Sequence, residues 1–570
     1  MIHQEVITLI VIVVLLSMAW LAAGYFIYGR FIARSLRLDD ARVTPACEIN
    51  DGNDYVPASA SMLLGQHLSA IAAAGPIVGP ILAGLWFGWL PALLWIVIGS
   101  VFIGGVHDFT SLVASVRHRA TSMGEVVRQH MSPLSQKLFL VFMWLALVYV
   151  IIAFTDITAQ TFRAVANEEA FGPGVAASSA AYLGLGVLMG VMLRYLKTPL
   201  WLATAVFIPL VLGVVWLGTR LPPGMSAAMM RVPVKGWELA LLLYCLVASL
   251  MPMWLLLQPR GYLGGWFLYL TIGVGLFGAL LGGYAIQYPA LNLDGLKSLA
   301  NGQPILPILF ITVACGACSG FHGIVTGGTT SKQIRRESDM KPVGYGAMIL
   351  EALVAVLALA TVMMLAKGDP LLKSDPNFIY ASGLATYMGR IGINYPVALA
   401  FALLAFSTFV YDTLDVCTRL ARYILQEIMG WRTFAGSFVA TVITLSLPLA
   451  FLMAAREKAY LDAWPIFGSS NQLLASLTLL GVSVWLGRTG RQVWMTAVPM
   501  LFMLVMTVWA LVVQMRPLYA SLAGGRGLSG MKADAIISGV CGTVLLVLTA
   551  WLVAEAFSLL VLRRGTKKPE

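Results

Sequence analysis

The sequence predicts an all-α polytopic membrane protein of about 15 transmembrane helices, each needing about 20 apolar residues. Three observations carry that prediction. The 570-residue chain is 59% apolar and 11% charged, with a mean hydropathy of +0.85, where a soluble chain carries roughly 25% charged residues. Apolar runs of spanning length recur from one end to the other. Two of those runs are interrupted by proline five spans apart, the sequence trace of a five-plus-five inverted repeat.

In chain order the spans fall near 5–29, 66–87, 91–115, 137–157, 175–194, 199–218, 237–257, 265–286, 304–327, 343–366, 393–416, 434–455, 464–486, 492–514 and 534–562. The first follows a stretch without Lys or Arg and lacks a small-residue cleavage site, so it reads as a retained span. The six cysteines are scattered, mostly inside apolar runs, and imply no disulfide framework. Cys315-x-x-Cys318 has metal or redox spacing but no second pair, and reads as small packing residues. With the N-terminus outside and the C-terminus cytoplasmic, 24 of the 37 Lys and Arg fall on the cytoplasmic side, including "GRFIARSLRLDDAR", "SKQIRRESDMK" and "RRGTKK". The net charge of +11 is then mostly surface charge facing anionic lipid, and no basic soluble domain exists to bind nucleic acid.

The second span contains "HLSAIAAAGPIVGPILAGLW" (67–86). Each proline lacks an N–H, so the carbonyls of Ala72 and Pro76 lose helical partners, and the preceding glycines leave helical geometry. In the seventh span, "LALLLYCLVASLMPMWLLLQP", Pro252 frees the carbonyl of Ala248. Exposed N–H groups and half-helix ends suit an anionic substrate, and freed carbonyls suit a cation. The substrate candidates are therefore Ala72, Gly75, Pro76, Gly79 and Pro80 on one helix, and Ala248 and Pro252 on the other. A packing role fits the same letters, since Gly75-x-x-x-Gly79 is a small-xxx-small face and Pro209, Pro307 and Pro448 interrupt other spans.

Ionisable groups at membrane depth cost at least about 2.5 kcal/mol each, which marks them as candidates for ion coupling. They are His67, His107, Asp108, His322, Asp412 and Asp415, with the hydroxyl of Ser319; Glu351 lies in the tenth span. Two have plain alternatives: Asp415 and Arg419 are spaced to pair on one helix, and His67 lies near the interface. Asp108 and Asp412 have nothing basic within a helical turn. No HExxH, P-loop, GxSxG or paired-carboxylate pattern appears, so the chain does not read as an enzyme.

The blocks "GQHLSAIAAAGPIVGPILAG", "GGVHDFTSLVASVRHRATSMGEV", "PILFITVACGACSGFHGIVTGGTTSKQI" and "WPIFGSSNQLLASLTLL" resemble, in order, the carbon starvation protein A family from about residue 53 to about 486. The resemblance implies a LeuT-type inverted-repeat fold, uptake of peptides and of pyruvate, and proton coupling. By position, the family's Gly-His-His or Gly-His-Gln opening stands at Gly65-Gln66-His67, the third-span acid at Asp108, the Ser-Gly-Phe-His stretch at Ser319 to His322, and the eleventh-span Asp at Asp412 or Asp415. Gln66 departs from the titratable group many members carry. The LeuT-type fold also implies a sodium site at carbonyls from Ala72 to Gly75 and the Ser319 hydroxyl, with Thr312 as a weaker choice.

The expectation is a multi-pass cytoplasmic (inner) membrane symporter that imports pyruvate or peptides by alternating access. Protons are the expected coupling ion, with sodium as the alternative, and no cofactor or structural metal is expected. Residues 1–52 would form a leading helix and cytoplasmic segment, 53–430 the transporter core, and 431–570 accessory helices. A channel and a membrane nutrient sensor are the rival classes.

Overall fold

The computed structural model describes residues 9–51, 55–166, 169–292, 305–456, 458–524, 527, 531 and 533–559. The basic tail 563–568 and the start of the first expected span lie outside them. Among the described residues, eleven helices are long and apolar enough to cross a membrane, or thirteen if each of two bent helix pairs is one span. This is a multi-pass membrane protein. The count of 15 is corrected at two places. The span expected at 304–327 is two short helices, Ile305–Thr312 and Gly320–Val325. The one at 464–486 is a long helix, Ala459–Arg488, whose polar run Ser469-Ser470-Asn471-Gln472 lowers its hydropathy.

The core helices are α1 (Ala60–Ile71), α2 (Gly75–Phe87), α3 (Trp89–Arg117), α4 (Pro133–Thr161), α5 (Val234–Leu250), α6 (Leu257–Leu281), α7 (Ile305–Thr312), α8 (Gly320–Val325), α9 (Gly346–Met363), α10 (Tyr395–Met429), α11 (Phe434–Ala454) and α12 (Ala459–Arg488). Local chemistry starts them. Ser59 caps α1 by accepting from the Met62 N–H, and Ser132 caps α4 just before Pro133, where a missing N–H costs nothing. Gly430, at φ +71°, ends α10 in the left-handed conformation that glycine adopts freely.

Taken as five and five, these elements pack with a two-fold pattern. The broken pair α1–α2 corresponds to α7–α8, and α3, α4, α5 and α6 correspond to α9, α10, α11 and α12. α1 packs on α6 as α7 packs on α12. α4 contacts α5, α11 and α12, as α10 contacts α11, α5 and α6. The long helices α4 and α10 cross each other, as do α5 and α11. Helices α11 and α12, beyond residue 430, thus pack against the helices that precede it. The hairpin Gly172–Tyr195 and Leu200–Gly218 is inserted between the third and fourth members of the first repeat. Helices Ile10–Leu36, Trp494–Ala523 and Ala533–Phe557 pack outside the core.

Two expectations about the breaks are corrected. The first helix breaks once, at Ala72–Ala74, with a bend of 49°, and α2 continues through Gly79-Pro80. Pro76 opens α2, where no N–H is required, and Pro80 strands only a first-turn carbonyl. The second break is not at Pro252. Helix α5 ends at Leu250 and Pro252 lies in the turn to α6. The repeat partner of the first break is the stretch 313–319, where Gly316 takes φ +73°. The two broken helices run antiparallel. Thr312 lies against Gly79, Cys315 against Gly75 and Gly316 against Pro76.

Basic loops gather on one face. Arg117 forms a two-pronged contact with Glu337 (3.1 and 3.0 Å), Arg491 donates to the Leu36 carbonyl (2.6 Å) and Arg488 to that of His130 (2.8 Å).

Candidate functional site

Irregular backbone at membrane depth survives only if its polar groups find partners. The second break has them, and most come from side chains. Trp95 Nε1 donates to the Val313 carbonyl (3.1 Å) and Trp464 Nε1 to that of Thr312 (3.2 Å). Gln472 donates to the Phe310 carbonyl. The Phe321 N–H reaches Asn471 Oδ1 (2.9 Å) and the Gly316 N–H reaches Glu351 Oε1 (3.2 Å). The polar run of α12 thus serves the break. At the first break, Thr413 donates to the Ala70 carbonyl (3.2 Å).

A buried chain of ionisable groups begins beside the second break. Asp108, on α3, accepts from His107 Nδ1 through one oxygen and from His322 Nδ1 through the other, both at 2.7 Å. Both imidazoles therefore carry their hydrogen on Nδ1. The far nitrogen of His322, Nε2, is 3.2 Å from Glu351 Oε2 on α9. Neither side chain has any exposure, and neither atom has another partner. A lone pair and a carboxylate oxygen do not approach this closely without a hydrogen or a cation between them. Ser319, expected to join this group, is instead held by Asn471 Nδ2 at 3.0 Å and accepts from the Cys315 thiol at 3.5 Å.

A second cluster lies between α1, α5, α6 and α10. Arg260, fully buried, bonds Asp412 through Nε (2.6 Å), and Asp415 and the Tyr244 hydroxyl through Nη1. Tyr244 also donates to Asp415 (2.8 Å), and Ser69 donates to Asp412. Asp415 does not pair with Arg419. That guanidinium donates to the carbonyls of Ala248 (2.9 Å) and Met251 (2.7 Å), closing off the carbonyl assigned to substrate in the sequence. Asp412, without a basic residue nearby in sequence, meets its cation from another helix. The two aspartates thus share one guanidinium in a network separate from Asp108. Gly264 is placed so that any Cβ would collide with Asp412.

Between the clusters lies a cavity of about 40 Å³ lined by residues of α1, α6, α8 and α10, including Gln66, His67, Ala70, Met253, Thr330 and Asp412. His67 Nδ1 meets the Thr330 hydroxyl at 2.9 Å. His67 Nε2 and Gln66 Oε1 have no partner. Of the substrate candidates, Ala72, Gly75, Pro76, Gly79 and Pro80 are all buried, and Gly75, Pro76 and Gly79 face the second break. Ala248 and Pro252 lie at the end of α5, and from that segment Met253 reaches the cavity. Of the sodium candidates, the Ser319 hydroxyl accepts from Asn471 Nδ2 and the Thr312 hydroxyl donates to the Ile308 carbonyl (2.7 Å). Arg260, Tyr244, Asn471, Gln472 and Cys315 were not singled out as site residues. Their signal was a cation, amides and a thiol inside or at the edge of apolar runs.

A five-plus-five helical bundle with two apposed breaks and buried ionisable groups beside them is the architecture of a secondary transporter. The chain belongs to the carbon starvation protein CstA family, whose description it matches over residues 9–374 and 370–510. It is 32% identical over 525 residues to the Bacillus subtilis peptide transporter CstA, covering 82% of this chain and 84% of that one. It is 29% identical over 598 residues to the Escherichia coli pyruvate/proton symporter BtsT, covering 88% and 81%. A solved Eremococcus coleocola manganese transporter aligns with 90% of this chain and 99% of its own at 14% identity and a TM-score of 0.45.

Proposed function

We propose that this protein imports a small carboxylate of the pyruvate class together with protons, from the outside to the inside of the cytoplasmic membrane. The N-terminus lies outside and the C-terminus inside. The observation that carries the reading is the cavity beside the first break. It presents two unpartnered polar atoms, His67 Nε2 and Gln66 Oε1, and its volume matches a few water molecules, each needing roughly 10–15 Å³ by this measure. A small polar anion asks for little more room on opening. A peptide asks for a longer cleft, and Asp412, the carboxylate that lines this one, is already paired with Arg260. Relatives named as peptide transporters favour the second reading, a peptide substrate.

Proton coupling is supported by the line His107–Asp108–His322–Glu351, which joins α3, α8 and α9 around the second break. Inward opening would part α8 from α9 and separate His322 from Glu351, releasing a proton held between them. The basic loops gathered on one face support the orientation. The deciding measurement is uptake of labelled pyruvate and labelled dipeptides into proteoliposomes under an imposed pH or sodium gradient. Pyruvate accumulation driven by the pH gradient alone is expected. Dipeptide accumulation, or a requirement for sodium at fixed pH, would overturn the substrate or the coupling ion respectively.

A further inference from the structure

The contact between His322 Nε2 and Glu351 Oε2 has a third neighbour. Cys315, in the second break, offers its sulfur to the same point, and the three ligand atoms lie within 4.8 Å of one another. All three side chains are buried. Bonds of ~2.0 Å to nitrogen and oxygen and ~2.3 Å to sulfur, at tetrahedral angles, put ligand atoms roughly 3.3–3.7 Å apart. The 3.2 Å between His322 and Glu351 already has that spacing, and the sulfur needs only a short inward movement.

The surroundings are those of a metal site as well. Asp108 accepts from His322 Nδ1, which aims the lone pair of Nε2 at the other two ligands, the carboxylate–histidine arrangement that orients metal-bound imidazoles. The Gly316 N–H holds the second oxygen of Glu351 (3.2 Å), leaving one oxygen for an ion. Asn471 Nδ2 lies 3.6 Å from the Cys315 sulfur and donates toward it, as a coordinating thiolate requires. Three protein ligands of mixed S, N and O type, with a fourth position open, suit a borderline-soft divalent ion. They do not suit sodium or magnesium, which take oxygen.

We propose that Cys315, His322 and Glu351 form a binding site for one divalent ion of the zinc class. Bound there, the ion ties the second helix break to α9 and holds the closed arrangement of the bundle. This is independent of which nutrient is carried, and its test uses no transport.

The probe is Zn²⁺ or Co²⁺ added to the purified full-length protein in detergent. One zinc per chain should remain after gel filtration, and the melting temperature should rise with zinc. Cobalt should give a thiolate-to-metal charge-transfer band in the near ultraviolet. Cys315→Ser should remove the band, and Asp108→Asn should weaken binding by roughly 10–100-fold through the lost orientation of His322. Cys47→Ser and His130→Ala should change neither. Absence of retained zinc in the wild type, or a cobalt band that survives Cys315→Ser, would overturn the proposal. The wild-type arms decide it even if a variant fails to fold.

Discussion

Asp108 and Arg260 are both buried ionisable residues, but their partners predict opposite consequences of removing them. Arg260 is the cation that Asp412 and Asp415 share. Arg260→Met leaves two carboxylates at membrane depth without a cation, and breaking a buried pair in this way costs about 3–5 kcal/mol. The variant is expected to melt far below wild type in detergent, whatever the substrate. Asp108→Asn keeps an oxygen acceptor for one histidine and leaves its neighbours packed. It should insert and melt near wild type while losing accumulation of substrate against a gradient. Accumulation at the wild-type level by Asp108→Asn vesicles under a proton gradient would remove Asp108 from the coupling path. Asp108 was readable in the sequence because nothing basic stands near it. Arg260 was not, because "QPRGY" at the edge of two spans looks like a short cationic loop; only the fold sets it against α10.

At the scale of the element, the glycines and prolines of α2 separate cleanly. A Cβ on Gly79 would stand 2.5 Å from the Thr312 carbonyl oxygen, a backbone atom that cannot step aside. Gly79→Ala should therefore destabilise by about 1–3 kcal/mol, the usual cost of overpacking. Gly75→Ala meets the Cβ of Cys315, which is fixed to the backbone, as well as its sulfur, and should cost a similar amount. Pro76→Ala should be mild in stability, because Pro76 sits where α2 begins and no N–H is needed. Detergent melting curves of the three variants give the order. A Gly79→Ala protein as stable as wild type would mean that α2 and α7 do not touch in the resting molecule. The first break was legible in two Gly-Pro pairs, although only one of them marks it. The second was hidden, because it contains no proline. It is made by Gly316 in the left-handed region and by donors brought from α3, α9 and α12, so its trace is only the small-residue run "ACGACSGFHG".

For the whole molecule, the gathered basic loops predict the topology. Cys47 is exposed beside that face, near Arg335, whose carbonyl its thiol reaches at 3.6 Å. The other cysteines are buried or half-buried. A membrane-impermeant thiol reagent should label Cys47 only after cells are permeabilised, with Cys47→Ser as the blank. Labelling of intact cells would reverse the orientation. Rocking of the two broken helices is expected to open the cavity beside Gln66 and His67 to one face and then to the other, around a fixed site.

Composition and the spacing of apolar runs determined by themselves that the chain crosses the membrane many times, because bilayer thickness dictates span length and low charge forbids a water-soluble surface. They also marked the first break, and Asp108, His322, Asp412 and Asp415 at membrane depth, because such groups are costly in lipid wherever the chain leads. Which of those groups meet was decided only by the tertiary structure. Asp108, His322 and Glu351 are separated by up to 243 positions in the chain and touch because three helices converge. Asp412 and Asp415 belong elsewhere because α6 brings Arg260 to them. The partner of the first break was likewise a matter of packing, since a helix interruption without proline is stable only where side chains from distant spans supply the donors and acceptors its own backbone has lost.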